Sequence, residues 1–233
     1  MRQAYRQVIA VGLVTLAIAI GLVFVLPTSM GVLPEGMQTP IVAFELARSP
    51  AEIEAMFGDP GSTERAAWVA AMDLGNQIDF GFLLAYGALL FLVSRTLRRE
   101  SGRTTHSLGE RLAFVGPLAD VFENVQLLDI TSSLGTDYRD AVGRLMLYTW
   151  IKWIGIALVM LSWAPTLLTL GRPGRIAAGT IVITALATAS AVVVRGIAAE
   201  AMSLGVVLSL ACILVLAFVR ARIPDETPAP SET

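Results

Sequence analysis

Asp79, Asp120, Glu123 and Lys152 are ionisable residues set in otherwise apolar stretches of a 233-residue chain. An ionisable group in hydrocarbon is costly, so it faces a helix-bundle interior or a wet cavity and pairs with another such group. The spacing of the polar residues supports this. Asp73, Asn76 and Asp79 recur every three residues and drift slowly around one helical face, and Tyr86, seven beyond Asp79, stays on it. Asp120, Glu123 and Asn124 stand at i, i+3 and i+4 and share one stripe, with Gln126 and Asp129 following toward one end. Tyr148 and Lys152 are at i and i+4 on a third helix. At 1.5 Å rise per residue, Asp79, Glu123 and Lys152 lie roughly 15, 12 and 10 Å below the outer ends of their helices. Lys152 is therefore expected to meet Glu123, Asp79 or Asp120. The candidate polar site comprises Asn76, Asp79, Tyr86, Asp120, Glu123, Asn124, Tyr148 and Lys152.

Three carboxylates for one ammonium leave excess negative charge, which a proton or a cation must offset. Three chemistries fit. An interhelical ionic lock would fix helix order. A transport or proton-relay site would hydrate and change its protonation. A catalytic site on a lipid-soluble substrate would use one carboxyl as general acid or base, with Lys152 or Tyr86 stabilising charge.

The elements that must hold these groups are membrane helices. The chain is 55% hydrophobic and 15% charged, against about 25% charged in ordinary soluble domains. Its mean hydropathy is +0.69. Apolar runs of roughly 20 residues cross a bilayer as helices, and six are read, over about 8–27, 69–94, 112–131, 145–168, 176–194 and 199–219. The second and third are weakest because they carry most of the carboxylates. The fold expected is an all-α, six-helix transmembrane bundle over 1–222, with residues 223–233 a disordered, Pro- and acid-rich cytoplasmic tail.

Arginine supplies 16 of the 17 basic residues. With the N-terminus inside, 11 arginines fall in inside segments and 5 in outside ones. This places both termini in the cytoplasm, in a membrane of the bacterial cytoplasmic type. The first run is longer than a 7–15-residue signal core and lacks an A-x-A-like site, so it reads as a retained anchor.

Residues 28–68 form the longest outside segment and read as a short helical lid. Thr39-Pro40 resembles an N-cap and first helical turn, and Ser49-Pro50-Ala51-Glu52 a capping box, which Gly58-Asp59-Pro60-Gly61 then stops. Phe44, Ile53, Met56 and Phe57 give these helices an apolar side. The stretch 95–111 reads as a solvated basic turn with His106 on its surface. Pro117 is placed to kink the third span beside the carboxylates. Pro165 reads as the end of the fourth span. Spans five and six are rich in Ala, Gly, Ser and Thr, which favours close packing or an oligomer surface, with Arg195 and Glu200 a solvated pair at their turn.

One histidine and one cysteine disfavour bis-histidine haem, zinc and iron–sulfur chemistry, so no cofactor or metal is expected. There is no P-loop and no G-x-S-x-G elbow. The scattered arginines make no nucleic-acid footprint. Expected partners are the bilayer, a small-molecule, ion or lipid ligand at the polar site, and a second copy through spans five and six. The most concrete functional reading is a transporter or permease-like protein. An intramembrane lipid enzyme and a structural subunit stand as alternatives.

Overall fold

A computed structural model of the protein describes residues 1–223, which are helical apart from turns and an irregular stretch over 26–39, with no strand among them. Nearly all of the expected tail lies outside the described residues. The helices are α1 (Arg2–Val25), α2 (Pro40–Glu45), α3 (Pro50–Phe57), α4 (Thr63–Ser101), α5 (Thr105–Leu112), α6 (Val115–Ser132), α7 (Arg139–Leu167), α8 (Gly171–Val193) and α9 (Ile197–Arg222). Five of them, α1, α4, α7, α8 and α9, are long and apolar enough to cross a membrane.

The boundaries have local causes. The Ser62 hydroxyl accepts from the Arg65 amide to start α4. Gly102, at φ +66°, ends it after Arg98 and Arg99, which suit the negative end of the helix dipole. With 39 residues α4 is roughly 58 Å long, about twice the hydrocarbon thickness. Most of the stretch 95–111 is therefore helix rather than loop. After Gly102 the chain folds back as α5. His106 is fully buried there, with Nε2 2.8 Å from the Thr166 hydroxyl, and not on the surface as its polar neighbourhood suggests. Gly109 permits this, because a Cβ on it would lie 2.7 Å from Ser162 Oγ and 3.1 Å from Ser94 Oγ.

Helix α6 begins only at Val115, three residues later than the sequence pattern indicates. Pro117 consequently falls in its first turn, where the missing N–H has no intrahelical acceptor to lose, and it makes no mid-helix kink. Its ring instead fills the space of a side chain at Gly87, where a Cβ would lie 2.6 Å from Pro117 Cγ. Helices α4 and α6 can thus approach closely beside the polar residues. Pro165 lies inside the last turn of α7, which ends at Leu167.

The small residues of α8 and α9 serve packing within the chain. Thr184 Oγ1 is 3.1 Å from Ser209 Oγ, and a Cβ on Gly205 would meet Thr184 at 2.6 Å.

Helices α2 and α3 form as their caps indicate, with differences in detail. The Ser49 hydroxyl accepts from the Glu52 amide at 3.3 Å, while Glu52 reaches one residue further back, to the Arg48 amide at 2.9 Å. Thr39 makes no side-chain cap. Its hydroxyl donates instead to Glu200 Oε2 at 2.6 Å, and the Gln38 and Thr39 amides donate to Glu200 Oε1. Phe44, Ile53, Met56 and Phe57 are fully buried, in one cluster with Met72 of α4, Ile130 of α6, Leu145 of α7 and Met202 of α9. Burying each such side chain contributes about 1.5–3 kcal/mol.

Arg195 and Glu200 do not pair with each other, because each finds a better partner in the segment before α4. Arg195 grips Glu52 through two hydrogen bonds of 2.7 and 2.8 Å and also donates to the Leu46 carbonyl. On the other side of α3, Glu54 accepts from Arg65, Tyr138 and the Gly135 amide. Burial works to raise the Glu54 carboxyl, but these donors outweigh it and hold the group low.

The hydrogen bonds from Arg195 hold Glu52 below its ordinary range. A carboxyl that binds its proton less tightly when folded stabilises at pH values above the unfolded value, about 4.3 for glutamate, and loses that contribution as pH falls through the folded value. Lowering the pH from 7 to 3.5 is therefore expected to reduce the melting temperature of the wild type more than that of Glu52→Gln. Thermal unfolding in detergent at both pH values measures this, and parallel losses would remove the clamp from the account.

Candidate functional site

The cluster is built around one ammonium. Lys152 Nζ lies 2.8 Å from Glu123 Oε1, 3.1 Å from Glu45 Oε2 and 3.3 Å from Asp120 Oδ1. An ammonium has three donors, and three carboxylates from two other helices meet it. The Trp153 ring adds a fourth contact, its centroid 5.1 Å from Nζ. Asp120 is shared, since its Oδ2 accepts from the Tyr86 hydroxyl at 2.8 Å. Beside it, Asn124 donates to Asp79 Oδ2 at 2.7 Å. Helices α4, α6 and α7 are thereby tied through polar atoms as well as by packing. Lys152 is 5% exposed, Asp120 3% and Glu123 0%.

Helix α6 makes this possible by being inside out. Its buried face carries Asp120, Glu123, Asn124 and Gln126, while Leu118, Phe122 and Val125, at i, i+4 and i+7, are 59%, 44% and 47% exposed. A helix in water buries its apolar stripe. One that buries carboxylates and presents leucine, phenylalanine and valine outward is turned the opposite way. In its 18 residues Asp120, Glu123 and Asp129 lower the average hydropathy, so this helix is not among the five most apolar.

Glu45 is the member that the residue pattern of the long helices does not reveal. It is the last residue of α2, in the segment between α1 and α4, and not in any long apolar helix. Three contacts seat it. Its carboxylate meets Lys152 and accepts from Trp153 Nε1 at 3.3 Å, and its backbone carbonyl accepts from the Thr149 hydroxyl at 3.1 Å. That last bond satisfies one of the carbonyls that a helix C-terminus leaves free. Burial pushes the Glu45 carboxyl above the ordinary glutamate range, against the pull of Lys152. The available signal was a lone carboxylate inside the apolar run PIVAFELA, between the buried Phe44 and Leu46.

Of the eight residues singled out from spacing, Asp120, Glu123 and Lys152 come into direct contact, Tyr86 joins through Asp120, and Asn124 and Asp79 form a bonded pair alongside. Asn76 is buried, and its Nδ2 has no hydrogen-bond partner among the described residues. Tyr148 points elsewhere and stacks on Phe122, ring centroids 5.1 Å apart. Nearer the helix ends, Asp73 accepts from the Thr131 hydroxyl and Gln126 from Arg144, apart from Lys152. Glu123 Oε2 is likewise buried without a hydrogen-bond partner among the described residues. Three carboxylates, those of Glu45, Asp120 and Glu123, thus meet one ammonium, with Asp79 as a fourth alongside on Asn124. No group of side chains among the described residues has the arrangement of a metal site.

No known protein family, curated protein or solved structure matches this chain. The site has to be read from its own chemistry.

Removing one partner of a buried charge set leaves the others uncompensated, at about 3–5 kcal/mol. Lys152→Met is expected to cost that much stability. Lys152→Met combined with Glu123→Gln should recover a substantial part, because one uncompensated carboxylate goes with the ammonium. Thermal unfolding of the three proteins in one detergent checks this, and a double variant no more stable than Lys152→Met would show that the two groups do not act together.

Proposed function

We propose that this protein is a multi-pass membrane protein of permease type that takes up and releases a proton at the Lys152 cluster. The observation that carries the reading is three carboxylates on one ammonium, with a fourth, that of Asp79, held beside them by Asn124. A lock that served only to order helices would gain most from balanced charge, since every uncompensated buried charge is destabilising. An excess of carboxylates is the composition of a group that exchanges protons, and intramembrane carboxylates commonly do so.

In this reading α6 is a sixth crossing, its apolar stripe toward lipid and its carboxylates inward. The arginine distribution then puts both termini on the cytoplasmic side. Helices α2 and α3 lie over the opposite mouth as a lid, and Glu45 is its tooth, filling the approach to Lys152. Proton uptake by the cluster would weaken the hold of Lys152 on a carboxylate and free Glu45 to withdraw. Protonation and opening would thereby be one event. Direct ion pairs of 2.8–3.3 Å describe the closed end of that cycle. The same closed pairs are what an ionic lock between helices would show, and the test separates the two.

Proteoliposomes adsorbed on a solid-supported membrane report charge displacement after a pH jump, with no substrate required. The wild type is expected to give a transient current above that of empty liposomes, reduced at least tenfold in Glu123→Gln reconstituted in equal amount. Wild-type currents equal to those of empty liposomes would end the proton-exchange reading and leave the cluster as a lock.

A further inference from the structure

A second feature is lined by none of the residues that meet Lys152. Between α1 and α9, floored by α4, runs a cavity of about 260 Å³. Gly12, Thr15 and Ala19 line it from α1, Leu89 from α4, and Ala211 and Leu214 from α9. The one hydroxyl among these six residues, that of Thr15, already donates to the Val11 carbonyl at 2.9 Å. No polar group therefore faces the space with an unmet need. A water requires two to four polar partners, and apolar cavities stay dry while accepting hydrocarbon. A void of this size between two apolar helices is filled by something made of carbon.

Its dimensions and its surroundings identify the occupant. On α1 the lining runs from Val8 to Ala19, roughly 17 Å at 1.5 Å per residue, close to the roughly 15 Å of hydrocarbon in one bilayer leaflet. The two ends differ. Beyond Val215 on α9, seven residues on and hence on the same helical face, stands Arg222, exposed and without a hydrogen-bond or ion-pair partner among the described residues. Arg2 at the start of α1 donates from Nε to the Ile223 carbonyl at 2.6 Å, which brings the two helix ends together and sets two guanidiniums there. At the other end, Leu16 and Ala19 continue into Ile20, Val23 and Phe24, which are exposed and apolar. The groove thus has a cationic rim at one end only.

We propose that the α1–α9 groove is a binding site for one anionic phospholipid, an acyl chain lying along Gly12, Ala19 and Ala211 and the phosphate meeting Arg222 and Arg2. Guanidinium recognises phosphate through paired, charge-assisted hydrogen bonds. Gly12 lets Leu214 of α9 approach α1 and leaves the groove its depth on either side. A Cβ there would come within 2.9 Å of Leu214 Cδ1. The site is independent of the Lys152 cluster and does not require that cluster to exchange protons.

Native mass spectrometry of the full chain in detergent tests the assignment, with dioleoyl phosphatidylglycerol and dioleoyl phosphatidylcholine added in turn so that only the headgroup differs. The wild type is expected to retain one phosphatidylglycerol at least fivefold more than phosphatidylcholine. Ala211→Phe fills the groove from an exposed position and should lower phosphatidylglycerol retention at least fivefold, with the melting temperature in lipid-free detergent unchanged. Arg222→Gln should reduce phosphatidylglycerol to the level of phosphatidylcholine. If Ala211→Phe does not fold, Ala19→Leu fills the same groove from α1 and is expected to give the same loss. Equal retention of the two lipids by the wild type, or full phosphatidylglycerol binding by a folded groove-filled variant, would overturn the proposal.

Discussion

A single ammonium in an apolar interior needs anions to hold it, and much of this architecture follows from how Lys152 obtains them. Two come from α6, which must turn its polar stripe inward to deliver Asp120 and Glu123 and so leaves leucine, phenylalanine and valine outside. That orientation is the reverse of the one a helix takes in water. The third comes from α2, which must enter the bundle far enough for Glu45 to reach Nζ at 3.1 Å. The close approach of α4, marked by Pro117 seated over Gly87, then brings Tyr86 onto Asp120. Each arrangement is costly or pointless without the others. A carboxylate-lined α6 without Lys152 would bury bare charge, and α2 without Lys152 would leave Glu45 with no counter-charge.

The segment between α1 and α4 is coupled to the cluster from two sides. Inward, Glu45 bonds Lys152, Trp153 and Thr149. Outward, Glu52 and Glu54 are held by Arg195 and by Arg65 with Tyr138, and Glu200 anchors the approach to α2. The outward ties are partly exposed and charge-assisted, and the inward one is buried. The fully buried Phe44, Ile53, Met56 and Phe57 lie between them. A change in the charge of the inner cluster would therefore act on one end of a segment whose other end is clamped.

Much of this could be read from residue spacing. Helical period placed Asp120, Glu123 and Lys152 on faces that could meet at one depth, and their atoms are 2.8–3.3 Å apart. The first-turn Pro40 located α2, and Ser49 and Gly58 located α3, because each carries its conformational requirement in its chemistry. The pattern failed where tertiary contacts outrank local character. Glu45 looks solvated because its segment lies between long apolar runs, and only the path of the chain over the bundle buries it. His106 sits in a polar, arginine-rich stretch, yet Gly109 lets that stretch tuck against Ser94 and Ser162. Arg195 and Glu200, five apart at a helix turn, look like natural partners, but better-placed groups arrive from residues 38–52. Tyr148 shares a face with Lys152 by simple counting, yet the exposed Phe122 draws its ring away. Pro117 shows how boundaries matter, since a shift of three residues turned an expected kink into a packing surface.

The account rests on excess negative charge being neutralised inside the cluster by a proton. Infrared spectroscopy of the protein in lipid at pH 7 observes this directly, because a protonated carboxyl has a carbonyl stretch distinct from that of a carboxylate and shifts in D₂O. At least one protonated carboxyl is expected in the wild type at pH 7, with its intensity altered by Glu123→Gln. A spectrum showing every carboxyl ionised at that pH, in the absence of any bound cation, would contradict the account.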